Sequence, residues 1–173
     1  ARRQWRKLHI AIDADSGDII ADILTDQNTS DVSQLEVLLD QIATPIDQFT
    51  ADGAYDGHSS YDKIRQHSAS AKIVIPPRPQ SIVKDIHGPP TQREAHVNSI
   101  AKDARMRWQT DNDYAKRSLA ETTMSRYKQD GGHRLNARSF TNQHAEASRR
   151  CNILNRKLAC ARPHSVRVQQ TTA

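Results

Sequence analysis

Cysteine is almost missing from this chain, and that scarcity already excludes several kinds of protein. Only Cys151 and Cys160 occur in 173 residues. Their separation suits neither a zinc knuckle nor a redox pair, so both are expected as reduced thiols. The eight histidines, at 9, 58, 67, 87, 96, 133, 144 and 164, offer no zinc spacing with them. No glycine-rich phosphate loop of the nucleotide-binding kind is present. An apolar run of about 18 residues and a signal-peptide pattern are both missing. A cytoplasmic chain with no membrane partner is the expectation. Aromatic residues make up 5% and hydrophobic residues 36% of the chain, so a small core under a polar surface is expected. One domain is the natural count at this length.

Charge is unevenly spread. Residues 1–90 hold 9 Lys and Arg against 13 Asp and Glu, whereas residues 91–173 hold 16 against 7. The second half therefore carries the kind of surface that meets nucleic acid. The acidic first half fits metal ligands as well as ordinary solubility.

Periodicity supplies the elements. Residues 5–14 and 18–25 read as strands around a turn at Asp15, Ser16 and Gly17, making an antiparallel hairpin. A helix over 31–43, capped by Ser30 or Asp31, follows from Leu35, Leu38, Leu39 and Ile42. Residues 46–51 read as a strand ending at Asp52, with Gly53 permitting a sharp turn. A helix over 58–68, with Tyr61 and Ile64 inward, leads to a strand at 71–75, and this crossover predicts a parallel pair. Residues 79–99 read as a loop leading into a helix around 91–103. The run 108–113, WQTDND, breaks the pattern, and Asp113 is placed to cap the next helix. A last helix covers 141–159, with Ala145, Ala147, Ile153, Leu154 and Leu158 as its apolar positions. His9 is expected to be structural or on the surface, and Trp5 and Trp108 to be packing anchors. Residues 1–160 then form the domain and 161–173 a frayed tail.

The most informative stretch is 114–128, YAKRSLAETTMSRYK. As a continuous helix at about 100° per residue it places Tyr114, Arg117, Glu121 and Lys128 within roughly 60° of one another. Leu119, Thr123 and Tyr127 take the opposite side, where they can be buried. A carboxylate on such a face can hold a divalent metal, while the cations and the phenol can hold phosphate. The plain alternative is a surface helix with an Arg117–Glu121 ion pair. Asp52 has its own plain alternative as a turn residue before glycine, and Asp56 reads as a turn or cap residue.

The pattern Tyr-x2-Arg-x3-Glu-x6-Lys resembles the signature of DDE transposases of bacterial insertion sequences, of the IS4 and IS5 type. TADGAYDG at 50–57 resembles the segment holding their second catalytic aspartate. The stretches 5–31 and 73–78 are similar to the same core, and the likeness runs over roughly residues 5–157. It implies an α/β, ribonuclease-H-like fold: one mixed sheet with helices on both sides. It implies that Asp52 and Glu121 are catalytic acids sharing Mg²⁺ or Mn²⁺, with Tyr114, Arg117 and Lys128 on DNA phosphate. The implied partners are element ends and target DNA, which the complete enzyme would cleave and join.

In that family the first acid lies on a first strand upstream of the WRKLH-like segment. Its place would fall before Ala1, and neither Asp13 nor Asp15 is assigned to it. The expectation is an incomplete sheet with an exposed apolar edge, and little or no strand cleavage by the chain alone. A fragment, the second product of a split reading frame or a decayed remnant would each account for this. A homo-oligomer or a missing N-terminal polypeptide would complete it. Two other functions stay open: an inactive nucleic-acid-binding remnant, and a metal-dependent nuclease of the same fold.

Overall fold

The computed structural model describes residues 5–81 and 89–161. The expected tail beyond Pro163, the start at 1–4 and residues 82–88 of the expected loop lie outside them.

The chain opens with a hairpin. Strand β1, Arg6–Ile12, pairs antiparallel with β2, Ile19–Asp26, in a register that shifts between Ala11 and Ile12. The turn closes because the Asp13 carboxylate accepts the backbone N–H of Asp15 and of Ser16. Gly17 takes a φ of +77°, a conformation that costs a glycine little. Ser30 supplies the cap of the next segment, accepting from the Ser33 N–H. Asp31 makes no cap bond there and turns back to β1. The helix expected over 31–43 is shorter: a 3-10 turn at Val32–Gln34 runs into α1, Leu35–Leu39.

Strand β3, Gln48–Thr50, then runs parallel to β4, Lys72–Val74, joined by α2, His58–His67. Gly53 is required for close approach, since a Cβ there would lie 3.2 Å from the Pro76 carbonyl oxygen. Leu35, Leu39, Tyr61, Ile64, Ala71, Ile73 and Ile75 form the core around this pair. Tyr61 and Ile64 are thus inward, as their spacing predicts.

The second half is helical. Helix α3, Gln92–Asp103, begins with a reciprocal cap between Thr91 and Glu94. Helix α4, Arg105–Asp111, follows. It moves the expected break at 108–113 to Asn112 and Asp113, because Trp108 is completely buried and draws its turn of chain into the helix. A 3-10 turn at Tyr114–Arg117 precedes α5, Ser118–Gly131, which stops at Gly132 with φ +74°. Helix α6, Phe140–Cys160, completes the described chain. Ile19, Tyr127, Cys151 and Leu154 form a second core, with Leu8, Ile10 and Met124 against it. Cys160 is exposed and both thiols are free. Burial pushes the Cys151 thiol up to about 12.

Three expectations need correction. The strands form two separate two-stranded sheets among the described residues, not one mixed sheet. No backbone pairing joins β1 to β3 among the described residues, although α1 packs on both pairs. Trp5 is no packing anchor, being 67% exposed beside the first strand, and Ile153 faces outward on α6. No described helix is long and apolar enough to cross a membrane.

One buried and one half-buried histidine make the fold sensitive to acid. His9 is within 2.8 Å of the Thr25 hydroxyl, and Asp31 lies 3.5 Å from its other nitrogen. His96 accepts the Trp108 indole N–H and donates to the Ile73 carbonyl, which is the pattern of a neutral ring. Burial lowers both from the ordinary value of 6.5, against an upward pull from Asp31 on one and from the Ile73 carbonyl on the other. The unfolded chain therefore binds protons that the folded chain refuses. Stability should be full above 6.5 and fall as pH drops through the lowered folded values. Urea midpoints over roughly pH 7.5 to 5 should decline steadily, and a flat profile would contradict this.

Candidate functional site

Asp52 follows β3 and is exposed. Its carboxylate accepts the Ala54 N–H at 2.9 Å, capping the short 3-10 turn Gly53–Tyr55. Both plain and functional readings of this residue are thus compatible with its geometry: one oxygen is used locally, and the group still faces solvent.

The 114–128 stretch does not form the single helix that its spacing predicts. Its first four residues make a 3-10 turn, and α5 begins only at Ser118. Asp113 caps nothing. It sits at φ +53° and pairs with Lys116 instead. At about 3.0 residues per turn the 3-10 winding eclipses Tyr114 with Arg117, so it keeps them on one face. Tyr114 packs against Trp108, ring centroids 5.6 Å apart, and is half-buried. Thr123 and Tyr127 are buried as expected, and Leu119 is partly so.

The 3-10 turn lies against β3. Burial raises the Tyr114 phenol above its ordinary value, and the carboxylates of Asp52 and Glu121 raise it further, opposed by Arg117 and Arg105. One phenol therefore feels both acids. Arg117 is paired with Glu121 through Nη2, both side chains substantially open to solvent. Such a pair contributes only a few tenths of a kcal/mol.

A second grouping surrounds a groove of about 1050 Å³. Asp52 and Lys128 both line it, with Asp31, Tyr55, Arg134 and Arg150. Glu121, Arg117 and Tyr114 do not. Burial, then Asp31, then Asp52 push the Tyr55 phenol up to about 12. Asp31 and Tyr55 were not singled out by spacing. Asp31 was legible only as a cap, and Tyr55 only as a member of TADGAYDG.

Asp56, by contrast, is structural. It is 6% exposed. Its two oxygens take Arg93 Nε at 2.6 Å and Nη2 at 3.0 Å, with the Arg78 N–H and the Ser81 hydroxyl completing the set. Burial alone would raise its carboxyl, but these donors together hold it below the usual range.

Among the described residues, no three His, Cys, Asp or Glu side chains gather closely enough to hold a metal ion. The donor set for the expected Mg²⁺ or Mn²⁺ is therefore incomplete among them. Asp52 and Glu121 provide at most two carboxylates, and Asp56 is committed to Arg93.

The family model described as a transposase DDE domain matches residues 1–156. No solved structure matches the chain.

Proposed function

The chain belongs to the transposase DDE domain family, and from that membership we propose a DNA-holding role within a transposition catalytic domain of the IS4 and IS5 kind. Asp52 and Glu121 are the two acids this chain contributes to the reacting phosphodiester. Arg117 and Lys128 hold DNA phosphate, and Tyr114 positions the same backbone. The observation that supports the reading is that the family match runs over residues 1–156, both acids included. The 3-10 turn that leads into the helix of Glu121 packs on β3, the strand that leads to Asp52.

In the complete enzyme a divalent cation would supply a hydroxyl nucleophile and stabilise the leaving oxygen. Among the described residues no three metal-ligating side chains gather, and a second reading stands beside the first: a DNA-binding polypeptide that does not cleave by itself. Arg117 and Lys128 then act as point contacts to the backbone. They set affinity and salt dependence without reading bases.

The test is DNA binding measured across a salt series, together with a nicking assay containing Mg²⁺ or Mn²⁺. The chain should bind duplex element ends and show little or no cleavage. Arg117→Ala and Lys128→Ala should each reduce the slope of log affinity against log salt by about 0.9, uniformly across sequences. Asp52→Ala should leave binding intact. Unchanged slopes in both basic variants would refute the phosphate assignment. Robust nicking by the chain alone would refute the non-cleaving reading and favour a nuclease.

A further inference from the structure

The loop between α5 and α6 is tied down more firmly than a connection requires. Gly132, at φ +74°, ends α5, and the Ser139 hydroxyl caps α6 by accepting the Asn142 N–H. Those two devices already close the turn. A second set of bonds from α6 nonetheless fixes the residues between them. The Glu146 carboxylate accepts the Asn136 N–H at 2.9 Å and the Ala137 N–H at 2.8 Å. Gln143 donates to the Ala137 carbonyl at 3.0 Å. Arg150 donates through Nη2 to Glu146 at 2.6 Å and to the Arg134 carbonyl at 3.0 Å. Gly131 leaves room for that side chain, since a Cβ there would lie 2.8 Å from Arg150 Cδ. Burial would raise the Glu146 carboxyl, but the two loop N–H groups and Arg150 hold it below its usual range. Glu146 is therefore charged at neutral pH.

What this framework holds in place is Arg134. Its side chain is exposed, and it lines the same groove as Asp52 and Lys128. The other cations of that groove are committed. Lys7 pairs with Asp31 and Arg150 with Glu146, while Arg6 lies over the Phe140 ring and donates to Gln143. Lys128 and Arg134 pair with no carboxylate among the described residues. Two unmatched cations on one groove, beside the exposed Asp52, suit a polyanion that passes that carboxylate.

We infer, on the DNA-holding role proposed above, that Arg134 holds a second DNA phosphate beside the one held by Lys128, and that Glu146 is its positioning residue, acting through Arg150 and the main chain of residues 134–137. A guanidinium carried on a fixed main chain loses less freedom on meeting phosphate than one on a free loop. Glu146 does not touch DNA, and its own charge opposes DNA. Its two effects therefore differ in sign. Neutralising a merely electrostatic Glu146 would tighten binding, whereas removing a positioning Glu146 weakens it.

The probe is a fluorescently labelled duplex of about 20 base pairs, titrated with the full chain across a salt series. Lys128→Ala is the reference and should lower the slope of log affinity against log salt by about 0.9. Arg134→Ala should lower it equally, Arg134→Lys should leave it unchanged, and the two alanine changes together should lower it by about 1.8. Glu146→Ala should weaken binding about five- to tenfold at roughly 0.1 M salt, although it removes a negative charge. Glu146→Gln keeps an acceptor for a loop N–H and should fall between. Gly131→Ala displaces Arg150 while placing a better helix former in α5. It should also weaken binding, with the fold checked by circular dichroism, and it decides the positioning role should Glu146→Ala not fold. An unchanged slope in Arg134→Ala, with Lys128→Ala lowered as expected, would overturn the assignment of Arg134 and leave the DNA-holding role standing. Tighter binding by Glu146→Ala, or unchanged binding by Gly131→Ala, would overturn the positioning role. Unchanged slopes in Lys128→Ala and Arg134→Ala alike would overturn phosphate holding in this groove, Arg134 included.

Discussion

Replacing Asp56 by alanine is expected to cost about 3–5 kcal/mol of stability, the range for breaking a buried ion pair from one side. The Asp56 side chain is 0% exposed and that of Arg93 is 14% exposed. Truncation strands the guanidinium with its partner gone and also removes the acceptor for the Arg78 N–H and the Ser81 hydroxyl. These bonds tie the turn after Asp52 to the segment following β4 and to the first turn of α3. The carboxyl is held below its ordinary range despite burial, so the charge is already in place at neutral pH. Its stabilisation is present above the unfolded value of 3.8 and is lost as pH falls through the folded one. For a domain of this size the melting point should drop by on the order of 10 °C. Asp52→Ala is the internal comparison. It removes one exposed cap bond, to Ala54, and should cost about 1 kcal/mol. Thermal and urea unfolding of the two variants should separate them clearly. An Asp56→Ala protein as stable as Asp52→Ala would show that the buried pair contributes nothing beyond a turn.

That contrast also shows where the sequence stops being readable. Asp52 and Asp56 both stand directly before glycine in TADGAYDG, and locally they look alike. What separates them is Arg93, 37 residues away, which no spacing rule connects to either. The hairpin was legible because its turn chemistry is local: Asp13 and Gly17 close it with their own bonds. The parallel pair was legible because apolar strands flank an amphipathic helix. The 114–128 helix was legible in its buried face and misread at its start. Arg117 and Glu121 remain one turn apart in either geometry, and what spacing could not show is that the Tyr114 ring packs against Trp108. The run 108–113 was misread for a related reason. Asn112 and Asp113 do make a turn, but the burial of Trp108 carries the helix on through Asp111. Nothing in the alternation of residues 5–31 shows whether β1 has a second neighbour, so the split into two sheets emerges only in three dimensions.

Trp108→Ala is expected to lower stability by about 3–5 kcal/mol, as for other large buried aromatics, and to loosen the proposed site. The indole is 0% exposed. It donates to His96 Nδ1 at 2.9 Å, and His96 donates in turn to the Ile73 carbonyl of β4 at 2.7 Å. On its other side it meets Tyr114. A continuous line of contacts thus runs from β4 through α3 and α4 to the 3-10 turn that carries Arg117 and leads to Glu121. Removing the indole leaves a cavity, an unpaired His96 nitrogen and a Tyr114 ring without its wall. Trp108→Phe keeps most of the wall and loses only the donor, at about 1–3 kcal/mol for the stranded acceptor. The two variants should also differ in a quantity unrelated to global stability. Burial is the largest cause of the raised Tyr114 phenol, so its titration should return toward 10.0 in Trp108→Ala and stay raised in Trp108→Phe. Ultraviolet titration, with Tyr114→Phe identifying the step, reads this directly under conditions where both proteins remain folded. If Tyr114 titrates identically in both variants, Trp108 does not position the 3-10 turn, and other contacts hold that turn against β3.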